Sequence, residues 1–220
     1  MDLEYLKKYG KIIGVDEAGR GPLAGPVVVG AILVENEDQL NLLNKISNDS
    51  KKMSEKKREE AFKIIIDNFK YSIKLATPEE IDLYNIFSAT TLGIKRVLKD
   101  FELYDKHIII DGKNFKLDIK NYECIVKGDL KSKIIGAASI LAKVYRDRLM
   151  FELDKEFPEY NFQKHKGYPT KEHIEKIKKY GIKDFYRITF KPIRNLLIDN
   201  EISFDKNEFN YMRLMKIGIL

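Results

Sequence analysis

Two apolar, β-branched runs held apart by a bend of glycine and proline set the first constraint on this chain. Lys11-Ile12-Ile13-Gly14-Val15-Asp16 reads as a strand that closes on an acid, and residues 27–34 read as a second strand. Between them lies Glu17-Ala18-Gly19-Arg20-Gly21-Pro22-Leu23-Ala24-Gly25-Pro26, and its two prolines exclude further strand. So short a link makes the two strands neighbours in one sheet, running antiparallel.

Further elements follow the same patterns. Residues 54–68 repeat apolar positions at a helical period, with Ser54 as the cap. Residues 71–75 alternate as a third strand. Thr77-Pro78-Glu79-Glu80 opens a short helix, with Thr as cap, Pro at the first position and Glu at the third. A second helix covers about 86–98. His107-Ile108-Ile109-Ile110-Asp111 follows that helix without a turn partner, so it is an interior strand parallel to the first. Residues 122–126 give a fifth strand, which runs into Lys127-Gly128-Asp129. A long helix spans 132–156, and its opening, Gly136-Ala137-Ala138-Ser139, is small enough to approach a sheet or a ligand closely. Another helix covers 170–180, and the tail after 195 is weakly patterned. This order describes an α/β fold, a mixed sheet with helices packed against it. The expected division falls at 160: a core over 1–160, then a basic segment over 161–220 that is either a small helical subdomain or an extension of that core.

The chain has 220 residues, enough for one large domain, and no apolar run approaches the roughly 18 residues of a membrane span. Cys124 is its one cysteine, expected as a small buried hydrophobe. With no apolar leader at the start, a reducing cytoplasm is expected. Charge is uneven. Residues 1–111 hold 17 Lys and Arg against 19 Asp and Glu, whereas 112–220 hold 23 against 15. Residues 160–194 carry ten of those basic side chains and three acidic ones, mixed with aromatic and turn residues, which suits a surface that grips phosphates.

The acids supply the chemistry. Asp16 with Glu17, Asp111 and Asp129 fall at the ends of three strands, and open α/β sheets keep their ligand sites at such ends. Four carboxylates brought together need protons or cations, and all-oxygen ligands select Mg²⁺ or Mn²⁺. Two such ions suit phosphoryl transfer. An Asp at a strand end also caps turns through its side chain, which is the structural alternative. Adjacent side chains on a strand point opposite ways, so Asp16 and Glu17 are expected to share a site only if the strand breaks there. Gly19 and Gly21 allow backbone to approach a ligand, and Arg20 offers planar donors to phosphate. His165, between Lys164 and Lys166, is expected on the surface or facing a duplex.

These blocks resemble the type 2 ribonucleases H, specifically the ribonuclease HII family. The resemblance is carried by Val15-Asp16-Glu17-Ala18-Gly19-Arg20-Gly21-Pro22, Asp49-Ser50-Lys51-Lys52, Asp111-Gly112 and Lys127-Gly128-Asp129. It continues through Ala138-Ser139-Ile140-Leu141-Ala142-Lys143-Val144, Arg146-Asp147-Arg148 and His165-Lys166-Gly167-Tyr168-Pro169-Thr170. It implies a ribonuclease H-like fold, a five-stranded mixed sheet with flanking helices and a C-terminal helical extension. It also implies a metal-dependent endonuclease; no obligate protein partner is expected, and the chain is read as a monomer. Such an enzyme cuts the RNA strand of RNA–DNA hybrids and nicks duplex DNA 5′ of embedded ribonucleotides, leaving 3′-hydroxyl and 5′-phosphate ends. The four family acids fall on Asp16, Glu17, Asp111 and Asp129. Gly19, Arg20 and Gly21 would read the ribose 2′-hydroxyl, and Tyr168 would stack on the next deoxyribose. Lys51, Ser139 and Lys143 would contact phosphates. Another nuclease of the same fold without ribonucleotide selectivity, or a non-catalytic hybrid-binding protein, stays open at this point.

Overall fold

The structure is a computed structural model and describes residues 1–46, 53–204 and 208–219. Its sheet has five strands in the order β3-β2-β1-β4-β5: β1 (Ile12–Ala18), β2 (Val27–Val34), β3 (Tyr71–Ala76), β4 (His107–Asp111) and β5 (Tyr122–Ile125). β1 pairs antiparallel with β2, from Ile12 opposite Val34 to Ala18 opposite Val28. It pairs parallel with β4, and β4 pairs parallel with β5. The mixed sheet expected from the strand pattern is therefore present. β2 is buried along its whole length, as a central strand covered on both faces must be.

Helices α1 (Asp2–Tyr9) and α2 (Glu37–Asn44) were not legible in the apolar pattern, since each is one short amphipathic stretch. A cap signal for α2 was present: the Asn36 side chain accepts from Gln39 N at 2.9 Å, and Gln39 Oε1 accepts from Glu35 N at 2.7 Å. α3 (Glu55–Asn68) starts where expected, with Ser54 Oγ accepting from Lys57 N. α4 (Pro78–Leu98) opens on a reciprocal cap, Glu80 N to Thr77 Oγ1 at 3.2 Å and Thr77 N to Glu80 Oε2 at 2.9 Å. Non-helical Asn85 (φ 69°, ψ 163°) divides it, and its Oδ1 accepts from the N–H groups of Phe87 and Ser88. The two helices inferred from sequence are thus the two halves of α4.

After β5 come α5 (Gly128–Lys131), α6 (Lys133–Glu156), a 3-10 turn (Pro158–Tyr160), α7 (Phe162–His165), α8 (Lys171–Tyr180), α9 (Lys191–Ile198) and α10 (Glu208–Lys216). The weakly patterned tail is helical. No helix among the described residues is long and apolar enough to cross a membrane.

Contacts group the chain into two compact units. The first comprises Met1–Ala18, Val28–Leu75 and Thr90–Tyr145; the second comprises Gly19–Val27, Ala76–Ala89 and Arg146–Leu220. In the first, Ile12, Ile32, Ile65, Ile109, Ile134 and Leu141 belong to one buried cluster. The small residues opening α6 act as expected. A Cβ on Gly14 would lie 2.7 Å from Ile134 Cγ2, and one on Gly30 would lie 2.6 Å from the Ala138 carbonyl oxygen. The helix therefore rests directly on the backbones of β1 and β2. The Asp2 carboxylate accepts from Lys133 N at 2.6 Å and caps α6 at its first residue. In the second unit, Tyr160, Phe162, Ile177, Tyr186, Ile193 and Leu214 belong to a separate cluster.

Candidate active site

Strand register places the first two acids. The parallel ladder of β1 with β4 runs to Val15 opposite Ile110, so the next residues in step are Asp16 and Asp111. In-register neighbours share a face of the sheet. Asp16 stands opposite Gly30 on β2, the glycine that lies under Ala138 of α6, so its face is the one covered by that helix. β1 does not break at Asp16: it continues through Glu17 opposite Val29 to Ala18, which corrects the expected strand break.

Asp16 is buried, and its carboxyl is held well above the ordinary carboxylate range. Desolvation is the largest cause, followed by the charges of Glu17 and Asp111. A hydrogen bond from the Ser139 side chain and one from Glu17 N, at 2.7 Å to Oδ1, oppose that rise. Asp111 Oδ1 accepts from Gly128 N at 2.5 Å. Lys127 leads into this contact in a left-handed conformation (φ 55°), and a Cβ on Gly128 would lie 2.6 Å from Ile135 Cδ1 and 3.3 Å from the same Asp111 oxygen. Asp129 is therefore not a strand-end residue, as expected, but lies in the first turn of α5, buried, next to the residue that binds Asp111.

The donor chemistry fits a hard divalent cation. The side chains are carboxylates, and two of them penalise ionisation of a third, a cost that a nearby positive charge removes. Among the described residues, no three His, Cys, Asp or Glu side chains are arranged to hold an ion as they stand. The register carries Asp16 and Asp111 into step, and Glu17 lies near enough for its charge to act on Asp16.

In the second unit, the glycine bend is held by two buried guanidinium groups. Arg187 donates from Nε and Nη2 to Gly25 O at 2.9 and 2.7 Å, from Nη2 to Gly19 O at 2.7 Å, and from Nη1 to Arg20 O at 3.1 Å. Arg146 donates to the carbonyls of Pro26, Lys166 and Ala24 at 3.0–3.1 Å. Burial pushes both down, Arg146 to about 10 and Arg187 to about 9, which leaves both charged at neutral pH. Gly19 has φ 95°, and a Cβ there would lie 2.0 Å from Arg146 Nε. Arg20 and Gly21 are exposed, and Tyr168 is 46% exposed. Its ring packs at the bend: a Cβ on Gly21 would meet Tyr168 Cε1 at 3.3 Å.

A family model described as ribonuclease HII matches residues 13–193. Among curated relatives, the ribonuclease HII of Thermotoga maritima is 45% identical over 219 residues, covering 99% of this chain and 89% of that protein. That of Thermotoga petrophila is 48% identical over 200 residues, covering 91% and 81%. The chain belongs to the ribonuclease HII family. Among solved structures, ribonuclease H2 from Pyrococcus horikoshii OT3 superposes with a TM-score of 0.74 at 29% identity, covering 86% of this chain and 98% of that one.

Within this ribonuclease HII the other expected site residues divide. Ser139 is buried, and its side chain is engaged with Asp16; Lys143 follows it by one turn on α6 and is half-buried. Lys51 lies outside the described residues. His165 is not on the surface, which corrects that expectation. Its ring stacks on His173 at 4.2 Å, and Nε2 lies 2.9 Å from Tyr160 O. The flanking lysines suggest exposure, but α7 ends with His165 turned inward while Lys164 is exposed and Lys166 half-buried. Cys124 is half-buried rather than buried, and burial pushes its thiol up, away from reactivity.

Sequence reasoning missed Arg187, Asp82 and Arg213. Asp82 accepts from Ile188 N, Thr189 N, Thr189 Oγ1 and Arg213, whose Nη2 lies 2.7 Å away in a fully buried ion pair. A signal existed. The chain uses 32 Lys and only 8 Arg, so arginine is not its ordinary surface cation, and Arg146, Arg187 and Arg213 are all fully buried.

Proposed function

We propose that this ribonuclease HII recognises the junction between a ribonucleotide and the deoxyribonucleotide after it, and cuts on the 5′ side of the ribonucleotide. Family membership makes the chain a metal-dependent endoribonuclease acting on RNA–DNA hybrids and on DNA that contains ribonucleotides. The cut would leave 3′-hydroxyl and 5′-phosphate ends. The observation that carries the catalytic assignment is the parallel ladder of β1 with β4, which runs to Val15 opposite Ile110 and leads into Asp16 and Asp111, with the Asp16 carboxyl raised first by desolvation and then by the charges of Glu17 and Asp111.

Asp16, Glu17, Asp111 and Asp129 would hold one or two Mg²⁺ or Mn²⁺ ions, which when bound supply an activated water and neutralise charge at the phosphate. Asp16 must be ionised for this role, and the hydrogen bonds from Ser139 and Glu17 N favour its charged form. Gly128 N holds Asp111 through one oxygen and sets the direction of the carboxylate.

Selectivity is assigned to the bend. With the Gly19, Arg20 and Gly25 carbonyls engaged by Arg187, the remaining backbone groups at Arg20 and Gly21 are held rigid for a 2′-hydroxyl that both donates and accepts. The exposed Tyr168 ring, packed at Gly21, would take the next sugar and leave no space for a second hydroxyl. Lys51, Ser139 and Lys143 would contact phosphates.

The test is to titrate Mg²⁺ and Mn²⁺ on a duplex carrying one ribonucleotide, map the cut, and compare uniform hybrid and all-DNA controls. A cut 5′ of the ribonucleotide, with all-DNA left whole, is expected. Equal cutting of all-DNA would replace this reading with a nuclease lacking ribonucleotide selectivity. Tyr168→Ala should lose more activity on the single-ribonucleotide duplex than on uniform hybrid, and equal losses would remove the ring from the selective step.

A further inference from the structure

Tyr186 is fully buried, and it reaches the bend and Tyr168 by two separate routes. Its backbone forms an isolated antiparallel bridge with Ala24. On either side, Gly25 N donates to Phe185 O and Arg187 N to Leu23 O, both at 2.9 Å. Its hydroxyl lies 3.0 Å from His173 Nε2, and His173 Nδ1 lies 2.9 Å from Tyr168 O.

The chemistry of the acceptors fixes the protons. A carbonyl oxygen only accepts, so His173 Nδ1 carries the hydrogen, and its bare Nε2 accepts from the Tyr186 hydroxyl. His165, stacked on His173, is fixed the same way. Gly167 N donates to its Nδ1 at 3.2 Å, and its Nε2 donates to Tyr160 O. Tyr186 is anchored from behind as well, since Arg213 Nη2 donates to its carbonyl and Arg213 is paired with the buried Asp82. Tyr168 O also accepts from Thr170 N at 2.8 Å.

We propose that Tyr186 and His173 are positioning residues for ribonucleotide selectivity: the chain from Tyr186 hydroxyl through the His173 ring to Tyr168 O fixes the exposed tyrosine against the glycine bend. Neither residue touches substrate. Arg146 and the bond from Leu23 N to Gly167 O also tie the bend to the segment before Tyr168, but Tyr186 is the residue that holds the bend through its backbone and the Tyr168 carbonyl through its side chain. The proposal rests on Tyr168 facing the substrate, as argued above.

The experiment measures cleavage of a single-ribonucleotide duplex and of a uniform hybrid by the full chain, and reads the ratio of the two rates. A merely structural loss lowers both rates and leaves the ratio alone. Tyr186→Phe removes the hydroxyl and keeps the ring, and should lower the ratio about fivefold, the factor set by one buried hydrogen bond. His173→Leu should lower it at least as far. His173→Asn, whose amide nitrogen stands where Nδ1 stood, should return the ratio toward that of the parent. A ratio within twofold of the parent in Tyr186→Phe, or His173→Asn behaving as His173→Leu does, would overturn the relay. Tyr168→Ala separates the two ideas. If it shifts the ratio and Tyr186→Phe does not, the relay fails alone; if Tyr168→Ala leaves the ratio unchanged, the relay falls together with the junction reading.

Discussion

Replacing Arg187 with Met tests the bend at its support. The guanidinium is buried and gives four hydrogen bonds to the carbonyls of Gly19, Arg20 and Gly25, with no carboxylate bonded to it among the described residues. Each charged hydrogen bond contributes about 1.5–3 kcal/mol net, while keeping the cation dehydrated costs several kcal/mol. Repulsion from Arg146 adds to that cost, since it is the second cause of the depressed Arg187 pKa. Methionine fills most of the volume, so the loss comes mainly from three carbonyls left without their donor. The expected destabilisation is about 3–5 kcal/mol, the range for removing one partner from a buried charged network. At about 2–4 °C per kcal/mol for a chain of this size, the melting temperature should fall by roughly 10–15 °C. Calorimetry measures that, and single-turnover cleavage of a single-ribonucleotide duplex measures the effect on recognition. Arg187→Lys keeps the charge without the planar fork, and should recover less than half of the lost stability. A Met variant within about 1 kcal/mol of the parent, with selectivity intact, would show that the bend holds itself and refute the reasoning.

Asp16→Asn and Asp111→Asn should abolish cleavage while duplex binding persists, as followed by gel shift in Mg²⁺; normal cutting by either would remove that residue from the catalytic set. Burial holds His173 down at about 4 against an ordinary value near 6.5, so the unfolded chain binds the extra proton between those pH values. Stability should therefore be complete above pH 6.5 and decline toward pH 4, by up to about 3 kcal/mol, and urea titrations of His173→Asn should show a flatter slope. Gly30→Ala puts a Cβ 2.6 Å from the Ala138 carbonyl and should destabilise by about 1–3 kcal/mol in denaturant melts, since backbone on both sides leaves little room to move.

Much of the sheet was legible because its strands are short, β-branched and closed by turns or acids. The pairing of β1 with β2 followed from the short proline-bearing bend, and the parallel β4 from the helix before it. The two halves of α4 were visible because the Thr77 cap opens one short helix and a separate apolar pattern starts near residue 86. What stayed hidden depends on contacts far apart in sequence. The inward turn of His165 is set by Tyr160 and His173, whereas the neighbouring lysines suggested exposure. The apolar residues before Asp129 suggest a strand end there, but the left-handed Lys127 starts a helix first. Arg187 and Arg213 were passed over because a lone arginine carries no periodic signal, and only the fold reveals that its partners are carbonyls or a buried acid.

The last parallel pair, Val15 with Ile110, has a consequence for what the gene can tolerate. Because neighbours in step face the same way, inserting or deleting one codon within β4 upstream of Asp111 would either leave its isoleucines facing the wrong layer or rotate Asp111 away from Asp16. Packing and chemistry are thus written in the same reading of the strand. Changes of length in this enzyme are expected to accumulate in its loops, while β4 varies only by exchange of one side chain for another.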